Sequence, residues 1–165
     1  MPKVALIMGS KSDWPSLQGC VKILREFGAQ VEVHVASAHR TPEKVAVFAD
    51  NARANGFEVI IAAAGKAAHL AGVIAGHTTL PVIGIPIKSS LMDGLDSLLS
   101  TVQMPTGIPV ATVAVGGGDN AAYLTAQILS IKYPEFEQKL AQHRVKMAAG
   151  IEAADEQLNA EISEL

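Results

Sequence analysis

The chain of 165 residues contains one cysteine and one tryptophan, and aromatic residues make up only 4% of it. With Cys20 alone there is no intrachain disulfide and no multi-thiolate metal site, which fits a reducing compartment. Its neighbours read as a helix, which predicts a buried, inert thiol rather than a nucleophile. With so few aromatics, Val, Ile, Leu and Ala must build the core, so a layered fold with small side chains between layers is expected. The five histidines show neither HxH nor HExxH spacing, and no metal is expected. Positive charge is not in excess: the formal net charge is -3, Lys and Arg are scattered, and nothing marks a nucleic-acid surface. The apolar runs are broken by Gly, Pro or charge well short of the ~20 residues of a membrane span. Met1-Pro2-Lys3 runs straight into strand-like sequence, leaving no room for a signal peptide, so a cytoplasmic location is expected. Neither GxxxxGK[ST] nor GxGxxG occurs, which excludes a P-loop and a dinucleotide fingerprint.

What is present is alternation. Lys3–Met8, Gln30–Val35, Val59–Ala64, Val82–Ile87 and Val110–Val115 read as strands, the first an apolar run without polar alternation, as a strand covered on both faces requires. Between them lie helical patterns. Leu17, Val21, Leu24 and Phe27 form a stripe ended by Gly28, with Asp13 as a possible cap. Thr41-Pro42-Glu43 opens a second helix with Val45, Phe48, Ala49 and Ala52 on one side and Asn55-Gly56 as its stop. Leu70–Ile74, Gly94–Thr101 and Ala121–Lys132 complete the set. Five strands alternating with helices predict an α/β three-layer sandwich around a parallel sheet. From Pro134 the pattern becomes one long helix reaching about Ala160, with Met147, Ile151, Ala154, Leu158 and Ile162 as an apolar stripe. Such a stripe must lie on something, either the parent domain or a neighbouring subunit. The expected organisation is a catalytic domain over 1–133 and a helical tail over 134–165.

In an open parallel sheet ligands bind at the carboxyl ends of the strands. Two loops there carry chemistry. Gly9-Ser10-Lys11-Ser12-Asp13 offers a sharp turn, hydroxyl donors and a carboxylate suited to ribose hydroxyls, although an ordinary capped turn would look the same. Ser37-Ala38-His39-Arg40 sets a proton carrier beside a rigid guanidinium fork suited to phosphate. His69 follows the third strand among small residues and reads equally as a functional or a structural group. His34 is expected in a strand, His77 in a connector and His143 on the tail helix, all structural or solvated. Lys88-Ser89-Ser90 is a rim candidate, Gln103-Met104-Pro105 a lid or an intersubunit contact, and Gly116-Gly117-Gly118 a weak anion cradle. Together these loops suggest an enzyme acting on a sugar phosphate or nucleotide.

M-G-S-x-S-D at 8–13, S-A-H-R-T-P at 37–42, A-x-H-L at 67–70, G-x-D-S-L at 94–98 and Q-M-P-x-G-I-P-V-A-T at 103–112 occur in this order. On these motifs the chain, from Val4 to about Tyr133, resembles the bacterial-type phosphoribosylaminoimidazole carboxylase catalytic subunits, or N5-carboxyaminoimidazole ribonucleotide mutases. The resemblance implies a flavodoxin-like fold with strand order 2-1-3-4-5. It implies homo-octamers whose C-terminal segments reach neighbouring subunits, and a nucleotide carboxyl shift from N5 to C4 in purine synthesis without ATP, metal or organic cofactor. A transient contact with the ATP-dependent N5-carboxylating enzyme would fit that role. Residue by residue it implies His39 as general acid/base, Ser10 and Arg40 near the phosphate, and Asp13 on the ribose. Ser37 falls in the phosphate loop, and His69 in the loop enclosing carbon dioxide and the imidazole. Ser12, Gly65, Lys66 and Leu70 are supporting positions.

One loop departs from the family. G-A-G-G-A-A-H-L-P-G is replaced by Ala63-Ala64-Gly65-Lys66-Ala67-Ala68-His69-Leu70-Ala71-Gly72, which puts a charged side chain where a glycine is usual and strains the backbone if that position needs positive φ. The alternatives are direct carboxylation of aminoimidazole ribonucleotide with carbon dioxide, or a non-catalytic flavodoxin-like oligomeric module. A phosphoacceptor receiver is disfavoured, because Met8-Gly9 and Ala64-Gly65 stand where its acidic residues belong.

Overall fold

A computed structural model describes residues 1–165. β1 (Lys3–Met8) explains its own unbroken apolar run: from Val4 to Met8 no residue is more than 2% exposed, so both faces of the strand are covered. After Gly9 the chain enters a 3-10 helix, Lys11–Ser16, that contains Trp14 and Pro15. Its cap is Ser10, not Asp13 as the sequence suggests. The extended backbone of Ser10 sets its Oγ to accept the Ser12 N–H at 3.3 Å, which leaves Asp13 inside the first turn. α1 (Gln18–Phe27) buries Cys20, Val21, Leu24 and Phe27 and closes at Gly28, whose φ of 98° lets its N–H donate to the Arg25 carbonyl at 3.0 Å. Burial pushes the Cys20 thiol up to about 12, so the inert thiol expected from the sequence is what the fold contains.

β2 (Gln30–Val35) pairs in parallel with β1, and α2 (Pro42–Asn51) follows with Val45 and Ala49 buried. β3 (Phe57–Gly65) is longer at both ends than predicted. α3 (Leu70–His77) includes His77, which is therefore the end of a helix rather than a connector; its Nδ1 meets Asp50 Oδ1 at 3.0 Å. β4 (Val82–Ile87) has its predicted bounds, and α4 (Leu95–Val102) follows a 3-10 turn, Met92–Gly94. β5 is much shorter than the predicted Val110–Val115: only Ala111–Thr112 pairs, opposite Ile83 and Gly84. The cause lies in β4. Pro86 has no N–H to give to the ladder, so regular pairing stops beside it, although Gly116 still donates to the Pro86 carbonyl at 2.9 Å. α5 (Gly118–Ser130) and α6 (Pro134–Ser163) complete the chain.

The sheet is wholly parallel with strand order β2-β1-β3-β4-β5, the flavodoxin-like topology. Because side chains alternate across a strand, Ala5, Ile7, Ile60 and Ala62 face one layer, where Val45, Ala49 and Ala52 of the α2 region and Leu70, Ala71 and Ile74 of α3 form a core with them. On the other layer α1 meets α5 through Phe27 and Tyr123, edge to face at 6.0 Å. The chain forms two compact units, residues 1–125 and 126–165. In the second, the Tyr133 and Phe136 rings meet at a tilt of 52° with centroids 6.1 Å apart, and Met147, Ile151, Leu158 and Ile162 of α6 are exposed. No helix is long and apolar enough to cross a membrane.

Candidate active site

The loops that leave β1, β2, β3 and β4 at their carboxyl ends surround one cleft of about 630 Å³. β1 contributes Ser10, Ser12 and Asp13; β2 contributes Ser37, His39 and Arg40; β3 contributes Gly65, Lys66, His69 and Leu70. Every site residue implied by the family resemblance therefore lines the same cleft. Lys88 and Ser89, marked in the sequence as rim candidates without a role, complete the wall after β4. Gly116-Gly117-Gly118 and Gln103-Met104-Pro105 are not in it; Met104 instead packs its sulfur over Gly72 of α3.

Short bonds fix the loops. Arg40 Nη2 donates to the Gly9 carbonyl at 2.8 Å and ties the β2 loop to the β1 loop. Ser37 Oγ accepts the Arg40 N–H at 3.2 Å, and Thr41 Oγ1 accepts the Ser37 N–H at 2.9 Å, so the turn carrying His39 is closed on itself. Ser10 Oγ and Ser12 Oγ lie 2.8 Å apart. The contact that sequence spacing gave no means to find is between histidines: His39 Nε2 lies 2.9 Å from His69 Nδ1, with the rings at 83°. At that distance one nitrogen donates and the other accepts, so the two rings hold one proton between them. Both are exposed within the open cleft, where a ligand would reach them.

Burial raises the Asp13 carboxyl above its ordinary value of 3.8, against the opposing pull of the Ser10 backbone, the Ser12 hydroxyl and the Arg40 charge. For an acid raised in this way, the associated stability is fully present below pH 3.8 and is lost as pH rises through the raised folded value. At neutral pH the ionised Asp13 is thus a cost to the empty fold. Asp13→Asn is expected to raise the melting temperature at pH 7 by about 2 °C, an advantage that shrinks as the buffer is made acid. A lower melting temperature at pH 7 would show that the Asp13 carboxylate stabilises the loop.

Lys66 has φ of 56°, one of three non-glycine residues in the left-handed region. This explains why a glycine at this loop position would be at ease, and why the lysine is not: such a conformation costs an L-residue roughly 1–2 kcal/mol. Part of the relief is offset by glycine's greater freedom in the unfolded chain. Lys66→Gly is expected to stabilise the fold by about 0.5–1 kcal/mol, read as a higher urea midpoint at unchanged slope. A lower midpoint would mean that the lysine stem makes contacts worth more than the strain.

A larger cleft of about 810 Å³ lies at the opposite, amino ends of β4 and β5. Its charged groups are already partnered, His77 with Asp50 and Arg53 Nη2 with Thr79 Oγ1, both at 3.0 Å. His34, as expected, belongs to a strand, and its ring meets Phe48 at a tilt of 54° with centroids 5.1 Å apart. The chemistry converges on the first cleft.

A flavodoxin-like α/β domain with hydroxyls, a guanidinium and a histidine pair at its strand ends is built as a small-molecule enzyme rather than a scaffold. Residues 3–150 match the family model described as AIR carboxylase, and the chain belongs to that family. A relative from Pyrococcus abyssi named N5-carboxyaminoimidazole ribonucleotide mutase is 57% identical over 147 residues, 89% of this chain and 84% of its own. One of the same name from Saccharolobus solfataricus is 59% identical over 140 residues, 85% of this chain and 89% of its own. Among solved structures, Treponema denticola PurE superposes with a TM-score of 0.87 at 30% identity, covering 96% of this chain and 99% of that one.

Proposed function

We propose that this chain is an isomerase of purine biosynthesis, converting N5-carboxyaminoimidazole ribonucleotide to 4-carboxy-5-aminoimidazole ribonucleotide. The observation that carries the reading is the His39–His69 pair at 2.9 Å, set in the same cleft as Arg40, Ser10 and Asp13. The phosphate lies against Ser10, Ser37 and Arg40, and the ribose hydroxyls donate to Asp13. These contacts, remote from the reacting atoms, position the imidazole.

The carbamate N–C bond breaks with its electron pair left on nitrogen, which takes a proton from His39, and carbon dioxide is released beside the ring. The electron-rich C4 then attacks carbon dioxide, forming the new C–C bond. The proton displaced from C4 returns to His39 and the ring regains aromaticity. One proton leaves the histidine and one comes back, so no oxidant, metal or nucleotide triphosphate enters the balance. His69 positions the His39 ring and shares its proton. Holding both fragments in one cleft favours recapture over escape.

The exposed stripe of α6, with Met147, Ile151, Leu158 and Ile162, supports a tail (134–165) that packs on a neighbouring subunit, in a homo-octamer. A sedimentation mass of one chain alone would refute that assembly. Work in the cytoplasm agrees with the single buried thiol, and a transient contact with the N5-carboxylating enzyme, which makes the substrate, belongs to the same reading.

The deciding experiment is conversion of synthetic N5-carboxyaminoimidazole ribonucleotide without ATP or bicarbonate, against the uncatalysed background. Rapid formation of the C4 product is expected. No conversion, together with carboxylation of aminoimidazole ribonucleotide by added carbon dioxide, would replace the mutase reading with the direct carboxylase.

A further inference from the structure

The cleft carries positive charge at both ends, and the reaction as derived uses only one of them. Arg40 stands with the serines on the β1–β2 side. On the β3–β4 side Gly65 and Ile87 are register partners, so Lys66 and Lys88, the residues that follow them, leave neighbouring strands side by side. Both line the cleft, with Ser89 next to them, and the His39–His69 pair bridges the loops of β2 and β3. Neither lysine is consumed by the fold. Lys88 Nζ meets only Asp93 Oδ1, at 3.1 Å, and with side chains 72% and 83% exposed that pair is weak and exchangeable. Lys66 keeps a cation at the cleft although its backbone is in a conformation better suited to glycine, and strain of this kind gathers at functional sites.

We propose that Lys66 and Lys88 form a second anion pole, which holds the ligand's carboxylate opposite the phosphate pole at Arg40, and that this makes the chain select carboxylated over uncarboxylated aminoimidazole ribonucleotide. The assignment rests on the N5-to-C4 reading. Its chemistry is electrostatic: the carbamate and the C4 carboxylate are anions, whereas the carbon dioxide between them is neutral. Charge returns to the carboxyl oxygens as C4 attacks, so an ammonium group there lowers the barrier to recapture and does nothing to retain carbon dioxide itself. The two lysines therefore favour recapture of carbon dioxide over its leakage.

The test compares binding of 4-carboxy-5-aminoimidazole ribonucleotide and 5-aminoimidazole ribonucleotide to the full chain by titration calorimetry. The wild type is expected to prefer the carboxylated nucleotide about tenfold or more, as a charge-assisted contact predicts. In the double variant Lys66→Met/Lys88→Met the ratio should fall close to one, with affinity for the uncarboxylated nucleotide unchanged. Arginine at both positions should keep the preference. During turnover of the N5 substrate, the double variant should also release uncarboxylated nucleotide at about ten times the wild-type proportion. Should the double variant not fold, Lys88→Met alone, at an exposed position, must show a partial loss of preference. A preference that survives in the folded variant, or that the wild type lacks, overturns the second pole. A wild type that shows the preference but does not convert the N5 substrate overturns the mutase reading and leaves the pole standing.

Discussion

Replacing His39 by asparagine is expected to lower kcat for the N5 substrate by about a thousandfold while leaving the melting curve unchanged. The two halves of this result have separate causes. His39 lies on an exposed loop, and its ring makes one hydrogen-bonded contact, with His69 at 2.9 Å, so the core does not register its loss. An asparagine amide can still bond to His69 but cannot take up and return a proton, which both halves of the carboxyl shift require. The measurement is steady-state turnover beside a thermal melt of the same sample. Turnover at the wild-type rate would move the acid/base role to another group, with His69 the first to be examined.

Arg40→Ala is expected to weaken nucleotide binding by about 10- to 100-fold, the range of a lost hydrogen bond to a charged group, with a smaller change in kcat. In the cleft wall one nitrogen of the Arg40 guanidinium holds the Gly9 carbonyl at 2.8 Å, and the rest of the fork is the part expected to meet the phosphate. Arg40→Lys should recover only part of the affinity, because a single ammonium cannot do both. Affinity also should fall with salt in the wild type more steeply than in the alanine variant. An unchanged dissociation constant in Arg40→Ala would place the phosphate elsewhere.

The sequence discloses a feature of this fold where the physics that sets it is local. Strands β1, β2 and β4 have their predicted bounds, and in β1 and β4 burial on the two faces is written directly in the apolar run. The length of β5 is not local: it is cut by Pro86, a residue of the neighbouring strand, and no inspection of Val110–Val115 contains that fact. The cap at Ser10 is hidden for a similar reason, since Ser10, Ser12 and Asp13 are all residue types that cap helices and only the extended backbone of Ser10 decides among them. The cleft itself was legible because strand-end loops in a parallel sheet must converge. The histidine pair was not. His39 and His69 are 30 positions apart, and their contact follows from two loops reaching across β1. The strain at Lys66 was legible only as a side chain in a place where the family's loop has glycine, and its φ of 56° gives that difference a physical meaning.

The small number of aromatic residues has an optical consequence. Trp14 is the chain's single tryptophan, half-buried in the 3-10 helix next to Asp13, while the two tyrosines, Tyr123 and Tyr133, fall one in each compact unit. Emission excited at the red edge of the absorption band therefore comes from one indole alone, next in sequence to the cleft-lining Asp13. The protein carries its own fluorescent reporter beside a cleft-lining loop, and a ligand entering the cleft is expected to change that emission in real time without a label.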